Sequence, residues 1–237
     1  MIKANKNKLA EKFFSIYTRS ALRKHFNSIQ IDGEENILNR GNSPSIIYSN
    51  HSNWWDGLIA YYLSRSQWNI NAYLMMDEEQ MKKYAFFRWI GAFSVNRSMA
   101  NEAMESVNYA ASLLKNNNAV LWIYPQGLMQ PNDYRPIKFY SGISRIIGKL
   151  EGVNLIPMAL RYEFLMEQRP DVFIQIGKVK SCQKLEETKD LTIELQTQLL
   201  NELGVLQDRV INGNLDEFKV ILRGKSSTNK NLDKFHG

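Results

Sequence analysis

Apolar residues recur along this chain in two alternating rhythms. Leu9, Phe13, Phe14, Tyr17, Ala21 and Phe26 follow a helical spacing with basic residues between them, which predicts a helix over 8–26. Short apolar runs at 29–31, 46–48, 72–76, 93–95, 119–124, 155–160 and 172–176 read as strands, the run Ala119 to Tyr124 being stopped by Pro125. Helical patterns fall between them at 54–63, 77–89, 101–115, 142–150 and 191–203. In 101–115, Met104, Val107, Ala111 and Leu114 make one apolar stripe, and in 77–89 the acids precede Lys82, Lys83 and Arg88, as the helix dipole prefers. Residues 34–45, punctuated by Gly41 and Pro44, read as a loop with at most a helical turn, and the chain from Lys225 reads as a polar, frayed tail. Strands alternating with helices predict an α/β domain: a mixed, mostly parallel sheet flanked by helices, with an N-terminal amphipathic helical element.

Charge changes this picture at one end. The formal net charge is +6, and residues 1–25 hold the whole excess: Lys3, Lys6, Lys8, Lys12, Arg19, Arg23 and Lys24 against Glu11 alone. A nucleic-acid protein spreads positive charge over its binding face, so no nucleic-acid partner is expected. A basic amphipathic helix points to an anionic membrane surface, although lysines solvated on a terminal helix would read the same. No run approaches the roughly 18 apolar residues of a membrane span, and no apolar signal segment follows the basic start. The lone Cys182 excludes an internal disulfide and fits a reducing compartment. It lies in a polar stretch with no histidine nearby, so a thiol nucleophile is not expected. No His/Cys cluster has metal-ligand spacing, and no glycine-rich phosphate loop is present.

In an open α/β sheet the chemistry lies beyond strand ends. His51 follows the strand at 46–48, and Asp56 falls in the first turn of the next helix. A strand-to-helix turn brings residues five apart together. An aspartate bonded to one imidazole nitrogen leaves the other as a base, the orienting logic of a catalytic triad without its serine. With three histidines and nine aspartates, the spacing alone arises by chance in roughly one such chain in nine, so the pair needs support from elsewhere.

That support comes from three further blocks in order. Gly91-Ala92-Phe93-Ser94-Val95-Asn96-Arg97 is a glycine, an apolar strand and an arginine; Tyr124-Pro125-Gln126-Gly127 is followed by Phe139 and Gly142; Ile156-Pro157 closes the series. With His51 and Asp56, these blocks resemble the glycerolipid acyltransferases, over roughly residues 28–180. The resemblance implies a membrane-associated O-acyltransferase. His51 would be the general base toward an acceptor hydroxyl, Asp56 its orienter, and Arg97 an anchor for an anionic substrate group. The acyl thioester donor would be acyl-CoA or acyl-carrier protein as cosubstrate, with no cofactor and no metal. The chain would divide into a docking helix at 1–27, an acyltransferase domain at 28–224 and a polar tail at 225–237, and would sit on the cytoplasmic, inner face of the membrane.

The third block departs from the family. Gln126 stands where the family has glutamate, and Leu128 and Met129 where it has threonine and arginine. Gln126 and Gly127 are taken as substrate-binding, Gly127 through nearby backbone amides, and Arg135 and Lys138 as replacements for the missing cation. The loss of charge leaves three readings of the acceptor side open: a lysophospholipid, a glycolipid or glycosylated terpenoid, and a lipid-binding relative without catalysis.

Overall fold

The computed structural model describes residues 1–115, 118–183 and 189–225; the polar tail beyond Lys225 lies outside the described residues. Strands β1 (Ser28–Asp32), β2 (Ser45–Ser49), β3 (Ala72–Asp77), β4 (Ala92–Val95), β5 (Val120–Ile123), β6 (Gly152–Glu163), β7 (Asp171–Ile176), β8 (Lys180–Gln183) and β9 (Lys219–Arg223) form one sheet. Its order is β4-β3-β5-β2-β6-β7-β1-β9, with β8 also on β6. β4, β3, β5, β2 and β6 run parallel, while β6–β7, β6–β8 and β1–β9 pair antiparallel. The fold is the expected mixed, mostly parallel α/β sheet flanked by helices.

Alternation along the strands supplies two cores. Ile46 and Tyr48 of β2 and Leu121 and Ile123 of β5 face one side, with Val107 and Leu114 of α5 (Ala100–Lys115), Ile143 of α6 (Gly142–Ile147) and Leu195 and Leu203 of α7 (Lys189–Ile211). Ile47, Val120 and Trp122 face the other, with Leu22 of α1 (Lys8–His25) and Ile59 of α3 (Trp55–Tyr62). A strand covered on both faces reads as a continuous apolar run, which is why 119–124 stood out in the sequence.

Several elements differ from the pattern. The helix expected at 77–89 breaks at Tyr84 (φ −122°, ψ 55°) into α4 (Glu78–Lys83) and a 3-10 segment, Ala85–Ile90, which Gly91 ends at φ 104°. The helix expected to stop at Leu203 continues through Gly204 to Ile211, because Leu206 and Val210 are buried. Burying two large apolar side chains outweighs the roughly 1 kcal/mol that a mid-helix glycine costs. The short strands β8 and β9, at the sheet's margins, were not foreseen.

The chain before α1 is tied to the edge strand β4. Ser94 N donates to Ile2 O (2.9 Å), and Asn5 N and Asn7 N donate to Arg88 O and Trp89 O (both 2.8 Å). Asn7 then caps α1, its side chain accepting from Leu9 N and Ala10 N. α1 packs on α3 and the 3-10 segment through Phe14, whose ring meets Tyr61, Phe86 and Phe87. The apolar stripe read in α1 therefore splits: Phe14 and Leu22 turn inward, while Leu9, Phe13, Ile16 and Tyr17 are each more than half exposed. Among the described residues no helix is long and apolar enough to cross a membrane.

Candidate active site

Because β2, β3, β4 and β5 are parallel, their C-terminal ends lie at one end of the sheet, and each carries a side chain of the site. His51 follows β2, Asp77 ends β3, Arg97 follows β4, and Tyr124–Gly127 follow β5. Asn50 fixes the first of these exits. Its side chain accepts from Leu160 N (2.8 Å) and donates to Leu160 O (2.9 Å), which ties the end of β2 to β6.

His51 Nδ1 lies 2.7 Å from Asp56 Oδ2. Asp56 is 0% exposed, and the same oxygen accepts from Ser52 N (2.6 Å) and Asn53 N (3.1 Å). Its other oxygen accepts from the Tyr162 hydroxyl at 2.5 Å. Four donors thus hold one carboxylate. The carboxylate assigns the imidazole proton to Nδ1 and leaves Nε2 as the basic nitrogen. Burial, with the Asp56 charge beside it, pushes the Tyr162 phenol well above the usual tyrosine range, so it remains a donor throughout neutral pH. The imidazole stacks on Tyr124, with centroids 4.5 Å apart and planes at 18°. Tyr162 was not singled out in the sequence; it lies on β6, two residues past the expected strand end, on the face shared by Met158 and Leu160.

His51 opens on a cavity of about 670 Å³. Its walls are largely apolar, including Leu58, Leu74, Met75, Ile90 and Val107, and its rim includes the exposed Trp54, Leu128 and Met129. Lys6 also lines it, its Nζ donating to Asn71 Oδ1 (2.7 Å) over the Tyr73 ring, and burial pulls its ammonium down to about 8. Three guanidiniums line the cavity, Arg65, Arg97 and Arg145, and the exposed Arg65 donates to Asn69 Oδ1 (2.7 Å). Arg97 sits 3.5 Å from Asp77 and 5.5 Å from the centroid of Tyr140, and Arg145 comes from α6. Arg145 was hidden in a segment that reads as an apolar helix.

Gly127 has φ +67°, and a methyl there would overlap Arg97 Nη1 and touch the Tyr140 ring at 3.0 Å. Gly127→Ala is therefore expected to displace Arg97 and strain the turn. Loss of roughly 1 kcal/mol or more in a melt should accompany weaker binding of an anionic substrate. Wild-type values for both would contradict the close approach.

Three expected substrate-binding residues sit differently. Gln126 is buried, its Oε1 accepting from His51 N (2.8 Å) and its Nε2 bonded to Gln130. Gln130 N in turn donates to His51 O (2.8 Å), so Gln126 braces the backbone of His51, and both ends of its amide are occupied. Arg135 and Lys138 are exposed and are not among the residues lining the cavity. The Arg135 guanidinium folds onto the carbonyls of Asn132 and Tyr134 in its own loop. Cys182 is buried among apolar neighbours, and burial pushes its thiol up. Among the described residues no group of three or more His, Cys, Asp or Glu side chains is placed to hold a metal ion.

Comparison with known proteins speaks to family and fold. The chain is 23% identical over 170 residues to a 1-acyl-sn-glycerol-3-phosphate acyltransferase of Streptococcus pneumoniae, a match covering 67% of this chain and 59% of that protein. The chain thus spans less than two thirds of this relative's length. The fold resembles the crystal structure of the 1-acyl-sn-glycerophosphate (LPA) acyltransferase of Thermotoga maritima (TM-score 0.62, 16% identity, 84% of this chain and 81% of that one). Residues 28–161, more than half of the chain, match the model of the acyltransferase family, and the chain belongs to that family.

Proposed function

We propose that this protein transfers a fatty acyl group from a thioester, acyl-CoA or acyl-carrier protein, to a hydroxyl of a lipid acceptor at a membrane surface. The observation that carries this reading is the His51–Asp56 pair opening on a large apolar cavity that also holds Arg97 and Arg145. His51 Nε2 takes the acceptor's hydroxyl proton as its oxygen attacks the thioester carbonyl carbon. The tetrahedral oxyanion then collapses, the C–S bond breaks, and the imidazolium returns the proton to the thiolate. Asp56 holds the imidazole through both steps and offsets its positive charge. The apolar walls suit the acyl chain.

For the acceptor, Arg97 and Arg145 in one cavity favour an anionic headgroup such as a phosphate, which a guanidinium grips with paired bonds. Arg145 supplies a cation that the altered third block lacks. The exposed face of α1, with Leu9, Phe13 and Ile16 beside Lys8, Lys12 and Arg19, supports docking on an anionic bilayer, the membrane location expected from the sequence.

The test is transfer of labelled acyl groups from acyl-CoA and from acyl-carrier protein to lysophosphatidate, to a neutral glycolipid and to a total lipid extract. Arg97→Ala and Arg145→Ala should each lower kcat/KM for lysophosphatidate about 10- to 100-fold, the worth of one charge-assisted bond. Arg135→Ala and Lys138→Ala should leave it unchanged. Transfer to the glycolipid that neither Arg97→Ala nor Arg145→Ala affects would favour a sugar-headed acceptor, and no transfer from either donor to any lipid would favour a lipid-binding protein without catalysis.

A further inference from the structure

The turn between β6 and β7 carries three consecutive large apolar side chains in water. Phe164, Leu165 and Met166 are all exposed, Met166 at 95%. Such a tip costs solubility unless something covers it. Its position in the fold says what that is. Met158 of β6 lies beside Ser49 at the end of β2, and β6 continues five residues further to Glu163. At about 3.3 Å per residue, the tip stands roughly 16 Å above the floor from which His51 projects. On the same strand, Tyr162 bonds Asp56, so the hairpin stands directly beside the His51–Asp56 pair, next to the cavity rather than among its lining residues. Other exposed apolar residues at this end of the sheet, Trp54, Leu128, Met129 and Tyr140 among them, line the cavity.

The base of the hairpin is basic. The Arg169 guanidinium donates to the carbonyls of Arg23 (3.1 Å), Lys24 (2.9 Å) and Lys225, which gathers four cationic residues beneath the tip. The acids nearby are largely engaged. Asp133 and Glu163 pair with Arg161, Asp171 accepts from Asn27 and Ser28, and Glu167 is the acid within the turn itself. An apolar tip above a cluster of largely exposed basic residues matches the layering of an anionic bilayer: hydrocarbon inside, phosphates outside.

We infer that the Phe164-Leu165-Met166 turn is a membrane wedge, separate from α1, which enters an anionic bilayer and turns the mouth of the cavity toward the lipid. The inference rests on the membrane-surface reading above, and it adds what α1 alone does not supply, an orientation. A lipid acceptor would then reach His51 without leaving the interface.

Sedimentation with phosphatidylcholine vesicles containing phosphatidylglycerol tests it. The variant F164S/L165S/M166S, with α1 intact, should partition at least about tenfold more weakly than wild type. Its melting temperature should be unchanged, because these side chains are exposed and the β6–β7 pairing is left in place. A second measurement does not depend on loss: Met166→Cys in a Cys182→Ser chain, labelled with an environment-sensitive fluorophore, should shift its emission to the blue on adding the same vesicles. Unchanged partition of the triple variant, or an unshifted emission, overturns the inference and leaves the tip to a protein partner. Neither readout requires catalysis, so a failure of the acyl-transfer reading is seen separately, as absent transfer to a short-chain acceptor in vesicle-free solution. There the triple variant should match wild type.

Discussion

His51→Ala is expected to lower acyl transfer by about 10²- to 10⁴-fold, the contribution of a positioned general base, while hardly moving the melting temperature. The imidazole makes few contacts for a site residue. Nδ1 meets Asp56, the ring stacks on Tyr124, and the side chain is part-exposed on the cavity wall. Truncation leaves Asp56 with three of its four donors, so no buried carboxylate is orphaned. The main-chain bonds of His51 to Gln126 and Gln130 involve only its backbone and survive. Single-turnover rates with either thioester, set beside a thermal melt, decide the matter. Near-normal turnover at an unchanged melting temperature would remove His51 from the mechanism.

How much of this site could be read from the sequence follows from the range of each contact. His51 and Asp56 are five residues apart across a strand-to-helix turn, and local geometry brings them together. Arg97 and the 124–127 turn are distant in sequence, but each follows an apolar run, and a parallel sheet carries such exits to one end. Tyr162 reaches Asp56 only through the pairing of β6 with β2, 106 residues away from its partner in sequence. Its signal was the period of two that it shares with Met158 and Leu160. Gln126 stands where the resembled family has glutamate and was expected to meet substrate, whereas its two ends are taken by His51 N and Gln130. Nearness in sequence was also misleading for Arg135 and Lys138: they follow the turn at Gly127 but lie in a surface loop, while Arg145, later still, returns to the cavity on α6. The α1 pattern was correct as a helix and silent on direction, since apolar residues occupy both its inward and its outward sides.

Asp56 separates fold from catalysis most sharply. Asp56→Ala would leave the N–H groups of Ser52 and Asn53, and the Tyr162 hydroxyl, without their acceptor in a fully buried place. Ser52 and Asn53 are part-exposed, so each group costs toward the lower part of the roughly 1–3 kcal/mol range, and the loss should be on the order of 3–5 kcal/mol. For a chain of this size that is a fall of roughly 6–20 °C in melting temperature, with transfer lost as well. Asp56→Asn should behave differently. Its carbonyl oxygen can still accept from Ser52 N, Asn53 N and His51 Nδ1, and its amide can donate to the Tyr162 oxygen, which turns from donor to acceptor. Stability should therefore stay within about 1–2 kcal/mol of wild type. Turnover should nevertheless fall by up to about 10⁴-fold, because a neutral amide does not offset the charge of the imidazolium and permits the wrong tautomer. Tyr162→Phe is the intermediate case: it leaves one lone pair of a buried carboxylate unanswered, and a loss nearer tenfold is expected, in kcat rather than KM. A folded Asp56→Asn protein with wild-type turnover would mean that the carboxylate serves only to close the turn, and the orienting role would pass out of the mechanism.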